Sequence, residues 1–361
     1  MVYFSIVCFL ILLAIIKKQS KFLYLLLYLS LLFISTHFSD GFDLRNYEAS
    51  YNQLFFANDV DESERSLLWD LFLFYSNLSG ISFSQFRLVC FLLWSIPIFT
   101  FVYKYSYFPS WVLAITYIFP IITFSSQMRN GIAVSFLYWG FFLFFLNRTN
   151  LGKWLYVLLV VIAGLFHYIS FFYLLGLIAF CDKINTKSLA RVVFVFVISL
   201  IFFIESGSFK LITTAILGDY YNEHYLSELE GLFYWKNILL SVAVIVNIWF
   251  SYVAMKKYKM RINNNSILLS NLPIYIFRFN IIMLLALPLM GISNHFYRIF
   301  QNVYILTAVS IANVSSQYML SKSNVGWWMR CSYLIFYFIF VIGIFSIIDG
   351  GFFIYWNSIV F

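Results

Sequence analysis

The sequence predicts an all-α, polytopic integral membrane protein with about twelve transmembrane helices. Hydrophobic residues make up 63% of the 361-residue chain, charged residues make up 11%, and the mean hydropathy is +0.87. Soluble domains carry roughly 25% charged residues, so the composition excludes an ordinary soluble enzyme. Because each span takes about 20 residues, the spans and their connections use the whole chain. We therefore expect a single transmembrane domain over residues 1–361.

The predicted helices follow the apolar runs of the sequence. The first run has no Lys or Arg ahead of it and no small-residue cleavage site after it, which indicates a retained helix rather than a signal peptide. The runs are residues 2–16, 22–37, 86–102, 110–124, 131–147, 152–166, 168–181, 191–205, 237–255, 268–290, 298–315 and 331–348.

Basic residues collect in alternate linkers between these runs. The positive-inside rule assigns such linkers to the cytoplasm, and both chain termini then lie outside. This sorting also explains the net charge of +8, so no nucleic-acid partner is expected. The basic linkers contain Lys17, Lys18, Lys21, Lys104, Arg148, Lys153, Lys183, Lys187, Arg191, Lys256, Lys257, Lys259, Arg261, Lys322 and Arg330, with Asp182 as their only acid.

The first long outer loop covers about residues 38–85. If the chain turns helical after Gly41, the side chains of Asp43, Tyr47 and Tyr51 share one helix face at i, i+4 and i+8 spacing. A carboxylate and two phenols on one face could line one wall of a cavity. A helix N-cap formed by Asp40 or Asp43 is the alternative explanation of these carboxylates.

Later in the same loop, the stretch from Ser66 to Leu78 has apolar residues at near-helical spacing around Asp70. This pattern predicts a short interfacial or re-entrant helix.

Arg129 stands at the outer junction of two spans, where the positive-inside rule disfavours a cation. A diphosphate would compensate its charge, because the guanidinium fork and helix N-terminal amides both bind phosphate oxygens. Gly131 would allow a ligand to approach the backbone. An ion pair with an acid of the first loop, or contact with lipid headgroups, explains the same arginine without a substrate.

His167 lies within an apolar stretch from Trp154 to Phe180. One long helix would place Lys183 and Lys187 outside, so the charge sorting favours two crossings with a tight outer tip near His167. An imidazole has an unperturbed pKa near 6.5 and is suited to taking a proton from a hydroxyl nucleophile. A buried structural histidine is the alternative.

The second long outer loop covers about residues 206–236 and contains Tyr220, Tyr221 and Glu223. Aromatic rings stack on sugar faces and carboxylates accept hydrogen bonds from hydroxyls, so this loop is a candidate sugar-binding surface. A solvated loop with interfacial tyrosines explains the same composition.

Two more arginines complete the candidate set. Arg298 repeats the situation of Arg129 at another outer junction. Arg278 lies inside the run 268–290, where an unpaired cation would cost about 2.5 to 3.5 kcal/mol. Arg278 should therefore face the interior and be paired, and it is a secondary candidate for binding the same diphosphate.

The four cysteines, Cys8, Cys90, Cys181 and Cys331, belong to separate runs and show no metal-ligand spacing. No metal site and no cofactor are predicted.

Three strings of this sequence resemble the EpsG/Wzy-type polysaccharide polymerases. They are Gly41 to Tyr51, Met128 to Ala133 and Phe166 to Ser170, and the Tyr-Arg pair at Arg298 extends the resemblance. Asn130 is a departure, since glutamine is more usual at that position of the family's string.

The resemblance implies a metal-independent membrane glycosyltransferase that polymerises undecaprenyl-diphosphate-linked oligosaccharide repeats on the periplasmic face of the cytoplasmic membrane. The product would be O-antigen or a related surface polysaccharide, and a chain-length regulator is a possible partner beside the membrane lipid. With this reaction in mind, His167 and Asp43 are the catalytic candidates. Arg129, Arg298 and Arg278 are the diphosphate-binding candidates. The candidates for contacting the acceptor or sugar are Asp40, Tyr47, Tyr51, Tyr220, Tyr221 and Glu223.

Three other functions remain open at this point. An O-antigen ligase would use the same donor chemistry with a lipid A-core acceptor. A flippase for lipid-linked oligosaccharides would carry polar residues along a path to both faces, whereas these candidates cluster outside. A membrane-bound acyltransferase could use a buried histidine, but it would need access to acyl-CoA in the cytosol.

Overall fold

The structure is a computed structural model that describes residues 2–37, 42–53, 66–209, 232–260, 271–292, 296–320 and 323–343. Within these ranges every regular element is a helix, which confirms the all-α prediction. The chain divides into two compact units. Unit 1 contains Met1–Leu174 and Ile311–Phe361, and unit 2 contains Leu175–Ser310.

Unit 1 is built from helices that follow the predicted runs closely, with two additional short helices in the first outer loop. Those two are α3 and α4, and α4 confirms the helix predicted around Asp70. The helices are α1 (Val2–Ile16), α2 (Lys21–His37), α3 (Phe42–Gln53), α4 (Leu67–Leu78), α5 (Phe83–Tyr105), α6 (Pro109–Thr116), α7 (Thr123–Ser126), α8 (Met128–Leu146) and α9 (Asn150–Phe166).

Contacts within unit 1 show that the helix directions alternate as the charge sorting predicts. The hydroxyl of Tyr24 donates to the carbonyl of Phe99 at 2.7 Å, and Arg87 donates to the carbonyl of Ser35 at 2.7 Å, so α2 and α5 are antiparallel. The ring of Phe101 on α5 contacts Tyr138 on α8. Helices α8 and α9 also pack against each other. The C-terminus of α2 and the N-termini of α5 and α8 therefore lie at one end of the unit.

The run predicted as one helix over 110–124 is broken in the structure. Helix α6 and the segment Phe119–Ser126 enclose an angle of 86°. The backbone of Phe119 is extended, with φ −146° and ψ 132°, and Pro120 has no N–H to donate to a helical hydrogen bond. Hydropathy alone does not detect this break, because the residues on both sides of it are apolar.

The tight tip predicted near His167 is confirmed. Helix α9 ends at Phe166, and a 3₁₀ helix runs from Tyr168 to Phe180. The hydroxyl of Tyr156 donates to the carbonyl of Tyr173 at 2.7 Å, so the two segments run back along each other. A 3₁₀ helix rises about 2.0 Å per residue instead of about 1.5 Å, which gives this short segment a length of about 26 Å.

Unit 2 contains three longer helices. The third of them in chain order is followed by 3₁₀ turns at Leu284–Ala286 and Pro288–Gly291. The amides of Asn247 and Asn280 both donate to the hydroxyl of Thr307, at 3.2 and 3.0 Å, and this buried polar contact joins helices that are otherwise apolar. The helices are α10 (Thr186–Glu205), α11 (Trp235–Lys259), α12 (Leu272–Met283) and the short α13 (Tyr297–Gln301).

Two further helices complete the described chain. Helix α14 (Tyr304–Leu320) contains the boundary between the units, and α15 (Val325–Phe336) belongs to unit 1.

The predicted number of about twelve spans is not confirmed. In the described part of the chain, five helices are long and apolar enough to cross a membrane, or six if the bent pair around Phe119 is counted as one span. Other predicted runs form apolar helices of 10–17 residues. At about 1.5 Å per residue these are shorter than a hydrocarbon core of about 30 Å. The long ones are Phe83–Tyr105, Met128–Leu146, Thr186–Glu205, Trp235–Lys259 and Leu272–Gly291.

Candidate functional site

Arg87 is a candidate that the sequence analysis missed. Helix α5 begins with a capping box in which Ser82 and Gln85 exchange hydrogen bonds, and this fixes the first turns of the helix. The side chain of Arg87 is only 8% exposed. Its Nη2 donates to the carbonyl of Ser35 at the end of α2, and its Nε is buried and makes no hydrogen bond with any described residue. A buried cation with a spare donor is suited to an anionic ligand.

A signal for Arg87 was present in the sequence. The predicted topology puts Arg87, like Arg129, at an outer junction of a span, so both arginines are exceptions to the positive-inside rule. The exposed acid Glu48 on α3 interacts with Arg87 electrostatically. This interaction compensates part of the charge of Arg87 from the solvent side.

A serine contact links this region to the segment that carries Arg129. The hydroxyls of Ser35 and Ser125 are 2.6 Å apart, which joins the end of α2 to α7. Arg129 follows in the first turn of α8, where it is half-buried. The N-cap residue Gln127 makes no side-chain capping bond to the helix. Arg129 and the N-terminal amides of α8 therefore both contribute positive charge at this end of the helix.

The interpretation of Gly131 changes with the structure. A β-carbon at this position would lie 3.1 Å from the carbonyl oxygen of Phe124 and 3.3 Å from the ring of Trp94. The space beside Gly131 is thus filled by the protein itself. Its small size lets α8 pack closely against α5 and α7, and it does not open the backbone to a ligand.

His167 lies deeper in unit 1 than Arg129. It caps α9 with an extended backbone and is 2% exposed. The preceding Phe166 stacks on Phe136 of α8, with ring centroids 5.5 Å apart. Phe136 follows Arg129 by seven residues, which is about 10 Å along the helix axis. The imidazole is accordingly buried below the start of α8, and its depth below the outer membrane surface stays a prediction.

Helix α4 links the two sides of this region. The ring of Phe72 contacts Phe86, next to Arg87, at 5.0 Å, and it contacts Phe166, next to His167, at 6.4 Å. Together with Arg129, these residues lie at the same end of unit 1. We call Arg87, Arg129 and His167 the arginine–histidine cluster.

Tyr47 and Tyr51 share one face of α3 as predicted, but the face is packed rather than open. Tyr47 contacts the ring of Trp69 at 5.1 Å. Tyr51 is 2% exposed, and its hydroxyl donates to the carbonyl of Ile81 at 2.7 Å. Burial also raises the pKa of the Tyr51 hydroxyl. These contacts correct the expectation that Tyr51 lines an open acceptor path, because its phenol is already bonded inside the protein.

We expect Tyr51→Phe to act on stability and leave the reaction unchanged. Loss of the hydrogen bond to Ile81 should cost about 1 kcal/mol, and the ring would keep its packing. The melting temperature and the turnover per folded molecule measure the two effects separately. Tyr75→Phe, on the exposed side of α4, is the matched control. A normal melting temperature with slower turnover would contradict this expectation and support a role for the Tyr51 hydroxyl in binding the acceptor.

Five other candidates in the first and second outer loops cannot be placed as side chains. Asp43 belongs to α3, but its side chain is not among those described. Asp40, Tyr220, Tyr221 and Glu223 lie outside the described residues. Their roles remain predictions.

Arg278 confirms one expectation and corrects another. It is 7% exposed and is paired inside unit 2, as predicted. Its Nε donates to the hydroxyl of Thr186 at 2.9 Å, Nη1 to the carbonyl of Cys181 at 3.1 Å, and Nη2 to the carbonyl of Ile184 at 2.6 Å. Each guanidinium nitrogen is thus engaged by the protein. These bonds engage the guanidinium inside unit 2, which argues against a role of Arg278 in binding the diphosphate.

Arg298 lies in α13 of unit 2 and is half-buried. Its neighbour Tyr297 donates a hydrogen bond to the hydroxyl of Tyr304, with the two oxygens 3.4 Å apart, which ties α13 to α14. Arg129 and Arg298 belong to different units, so a clamp formed by both arginines stays a prediction.

The EpsG family model matches residues 21–357. No curated protein and no solved structure matches the chain. The matched range covers both units and includes the three strings around Asp43, Arg129 and His167.

Proposed function

The chain belongs to the EpsG family, and from this membership we propose that it polymerises polyprenyl-diphosphate-linked oligosaccharide repeats at the outer face of the cytoplasmic membrane. EpsG-family proteins are glycosyltransferase-like polymerases of polysaccharide synthesis. The observation that supports the proposal best is the arginine–histidine cluster, because it places two cations and a candidate base at one end of unit 1.

The reaction needs one bond formed and one broken. A hydroxyl oxygen of the acceptor repeat bonds to the anomeric carbon of the donor chain, while the bond from that carbon to the diphosphate oxygen breaks. The hydroxyl proton passes to a base, and polyprenyl diphosphate leaves with the bonding electrons. Catalysis therefore requires cations at the leaving group and a base on the acceptor side.

Arg129 is the first choice for the leaving group. Its guanidinium and the N-terminal amides of α8 would both bind diphosphate oxygens as negative charge develops. Arg87 adds a second cation through the buried Nε that makes no bond with described residues. Arg298 stays a predicted diphosphate-binding residue.

His167 is the first choice for the base. Its position at the end of α9 would let an acceptor hydroxyl that enters the site pass its proton to the buried imidazole. Asp43, in the string that follows α2, either orients the imidazole or replaces it as base. The residues proposed to bind sugar are Tyr47, Asp40, Tyr220, Tyr221 and Glu223.

Purified protein in nanodiscs, supplied with one lipid-linked repeat, tests the proposed function. Products of two or more repeats, with release of polyprenyl diphosphate, would support it. Transfer to a lipid A-core acceptor without polymer would identify a ligase instead. No covalent product with an authentic donor would overturn the enzymatic proposal and favour a flippase.

We expect Arg129→Lys to slow polymerisation at least tenfold. Lysine keeps the charge but loses the bidentate fork, and one lost charge-assisted hydrogen bond costs about 1.5 to 3 kcal/mol. Initial rates on the lipid-linked repeat measure the effect. Arg148→Lys, beyond the other end of α8, is the matched control and should keep the wild-type rate. An unchanged rate in Arg129→Lys would leave this arginine a structural role only.

Arg87→Lys tests the second cation. We expect the rate to fall, because lysine cannot bond the Ser35 carbonyl and present a second donor in the same planar geometry. The melting temperature must be measured alongside the rate, since the bond to Ser35 also stabilises the contact between α2 and α5. A lower melting temperature with an unchanged rate per folded molecule would restrict Arg87 to packing.

A further inference from the structure

A second cation site lies at the opposite end of unit 1. The end of α1, the start of α6 and the start of α15 enclose a cavity of about 320 Å³. Two of its lining residues are cations, and most of the others are apolar or aromatic. We call it the basic cavity. It is lined by Ile15, Ile16, Lys18, Trp111, Trp327, Arg330, Cys331 and Leu334.

The two cations of the basic cavity are held close together by the same neighbours. The Nζ of Lys18 lies 3.2 Å from the sulfur of Met319, and an Nη of Arg330 lies 3.8 Å from the same atom. Both cations also face the ring of Phe108, at 4.7 and 5.0 Å from its centroid. Arg330 is fixed further by a 3.1 Å hydrogen bond to the hydroxyl of Ser315.

No acid compensates these charges in the described part of the chain, where neither Lys18 nor Arg330 has a carboxylate partner. Arg330 is only 6% exposed. Burial lowers the pKa of the Lys18 ammonium, and the positive charge of Arg330 lowers it further. Two like charges in a partly buried cavity are costly, so an anion that binds both would stabilise the protein.

We propose that the basic cavity binds the phosphate headgroup of an anionic phospholipid. The guanidinium of Arg330 offers a planar fork to phosphate oxygens, and Lys18 adds a compact charge. Ile15, Ile16 and Leu334 provide an apolar wall for the glycerol and the first acyl carbons. The volume falls in the range of about 300 to 1,000 Å³ that is usual for ligand pockets.

The surroundings of the cavity favour a lipid over a soluble phosphate. Trp327 is 51% exposed and the adjacent Trp328 is 63% exposed, which is typical of side chains at a membrane interface. The positive-inside rule predicts that the basic linkers, and with them this end of unit 1, face the cytoplasm. The cytoplasmic leaflet carries anionic lipids, and basic pockets between helices bind the headgroups of such lipids. Both observations favour a lipid headgroup over a soluble phosphate as the bound anion.

The basic cavity is separate from the arginine–histidine cluster. Helix α2 starts at Lys21 beside the cavity and reaches Ser35 beside Arg87, a distance of about 21 Å along its axis. Lipid binding can therefore be measured without polymerisation, and its outcome does not depend on the proposed function.

Thermal unfolding of the detergent-purified full chain tests the site. We expect phosphatidylglycerol to raise the melting temperature by about 3 °C or more, while phosphatidylcholine and inorganic phosphate leave it unchanged. The Lys18→Gln/Arg330→Gln variant should lose this shift. Lys17→Gln/Lys21→Gln removes the same charge from flanking exposed positions and should keep it. Lys18→Gln alone, with the buried arginine intact, should reduce the shift if the double variant does not fold.

Three results would overturn the proposal. The first is an equal shift in the wild type and in the variants of Lys18 and Arg330. The second is equal loss of the shift in Lys17→Gln/Lys21→Gln, which would indicate general surface charge. The third is the same stabilisation by inorganic phosphate as by phosphatidylglycerol, which would identify a soluble phosphate as the occupant.

Discussion

Arg278→Met is expected to leave little correctly folded protein. The guanidinium of Arg278 holds the chain between the 3₁₀ helix and α10 through Thr186, Cys181 and Ile184. Methionine fills much of the same volume but donates no hydrogen bond. Each of the three acceptors that loses its donor costs about 1 to 3 kcal/mol, so the total should be at least about 3 kcal/mol. Whole-protein stabilities are about 5 to 15 kcal/mol.

The measurement is the yield of monodisperse protein and its melting temperature in a mild detergent. Arg191→Met, on the exposed side of α10, removes the same charge and should behave like the wild type. Arg278→Lys should be intermediate, because one ammonium cannot reach all three acceptors. A stable Arg278→Met protein that cannot polymerise would contradict this interpretation and restore Arg278 as a substrate ligand.

Much of unit 1 could be predicted from the sequence because two independent patterns agree there. Apolar runs located the helices, and the alternation of basic linkers gave their directions. The antiparallel contact of α2 with α5, through Tyr24 and Ser35, is the geometry that this alternation requires. The tip at His167 followed from the same charges, since a straight helix would have moved Lys183 to the wrong side.

The remaining features depend on backbone geometry that composition does not encode. The break around Phe119 and the 3₁₀ helix after His167 are both apolar throughout, so hydropathy gave ordinary spans for both. The count of about twelve spans has the same weakness, because an apolar run does not specify how long the resulting helix is.

Site residues were harder to predict because their partners are distant in sequence. The acceptors of Arg278 lie more than ninety positions earlier, and no local pattern connects them to the arginine. Arg87 was not predicted as a site residue because it lies within the apolar run 86–102. Like Arg129, however, it is a cation at a predicted outer junction of a span. Gly131 was assigned to ligand approach, whereas Phe124 and Trp94 occupy the space beside it.

His167→Ala should give the largest loss of activity, with the rate of polymerisation falling by about 10² to 10⁴. The imidazole is buried at the junction of α9 and the 3₁₀ helix, at the same end of unit 1 as Arg87 and Arg129. Loss of a base affects proton transfer and not donor binding, so kcat should fall while KM for the lipid-linked repeat stays near its original value. Steady-state rates over a range of donor concentrations measure both.

The control for His167 is the other histidine described near this end of unit 1. His37, at the end of α2, is exposed and stacks on Phe33 with ring centroids 4.3 Å apart, so His37→Ala should keep the wild-type rate. His167→Gln preserves polarity and approximate volume, and it separates lost chemistry from lost packing. If His167→Gln is slow at a normal melting temperature, the imidazole itself is required. If it is fully active, His167 only caps α9, and Asp43 becomes the first candidate for the base.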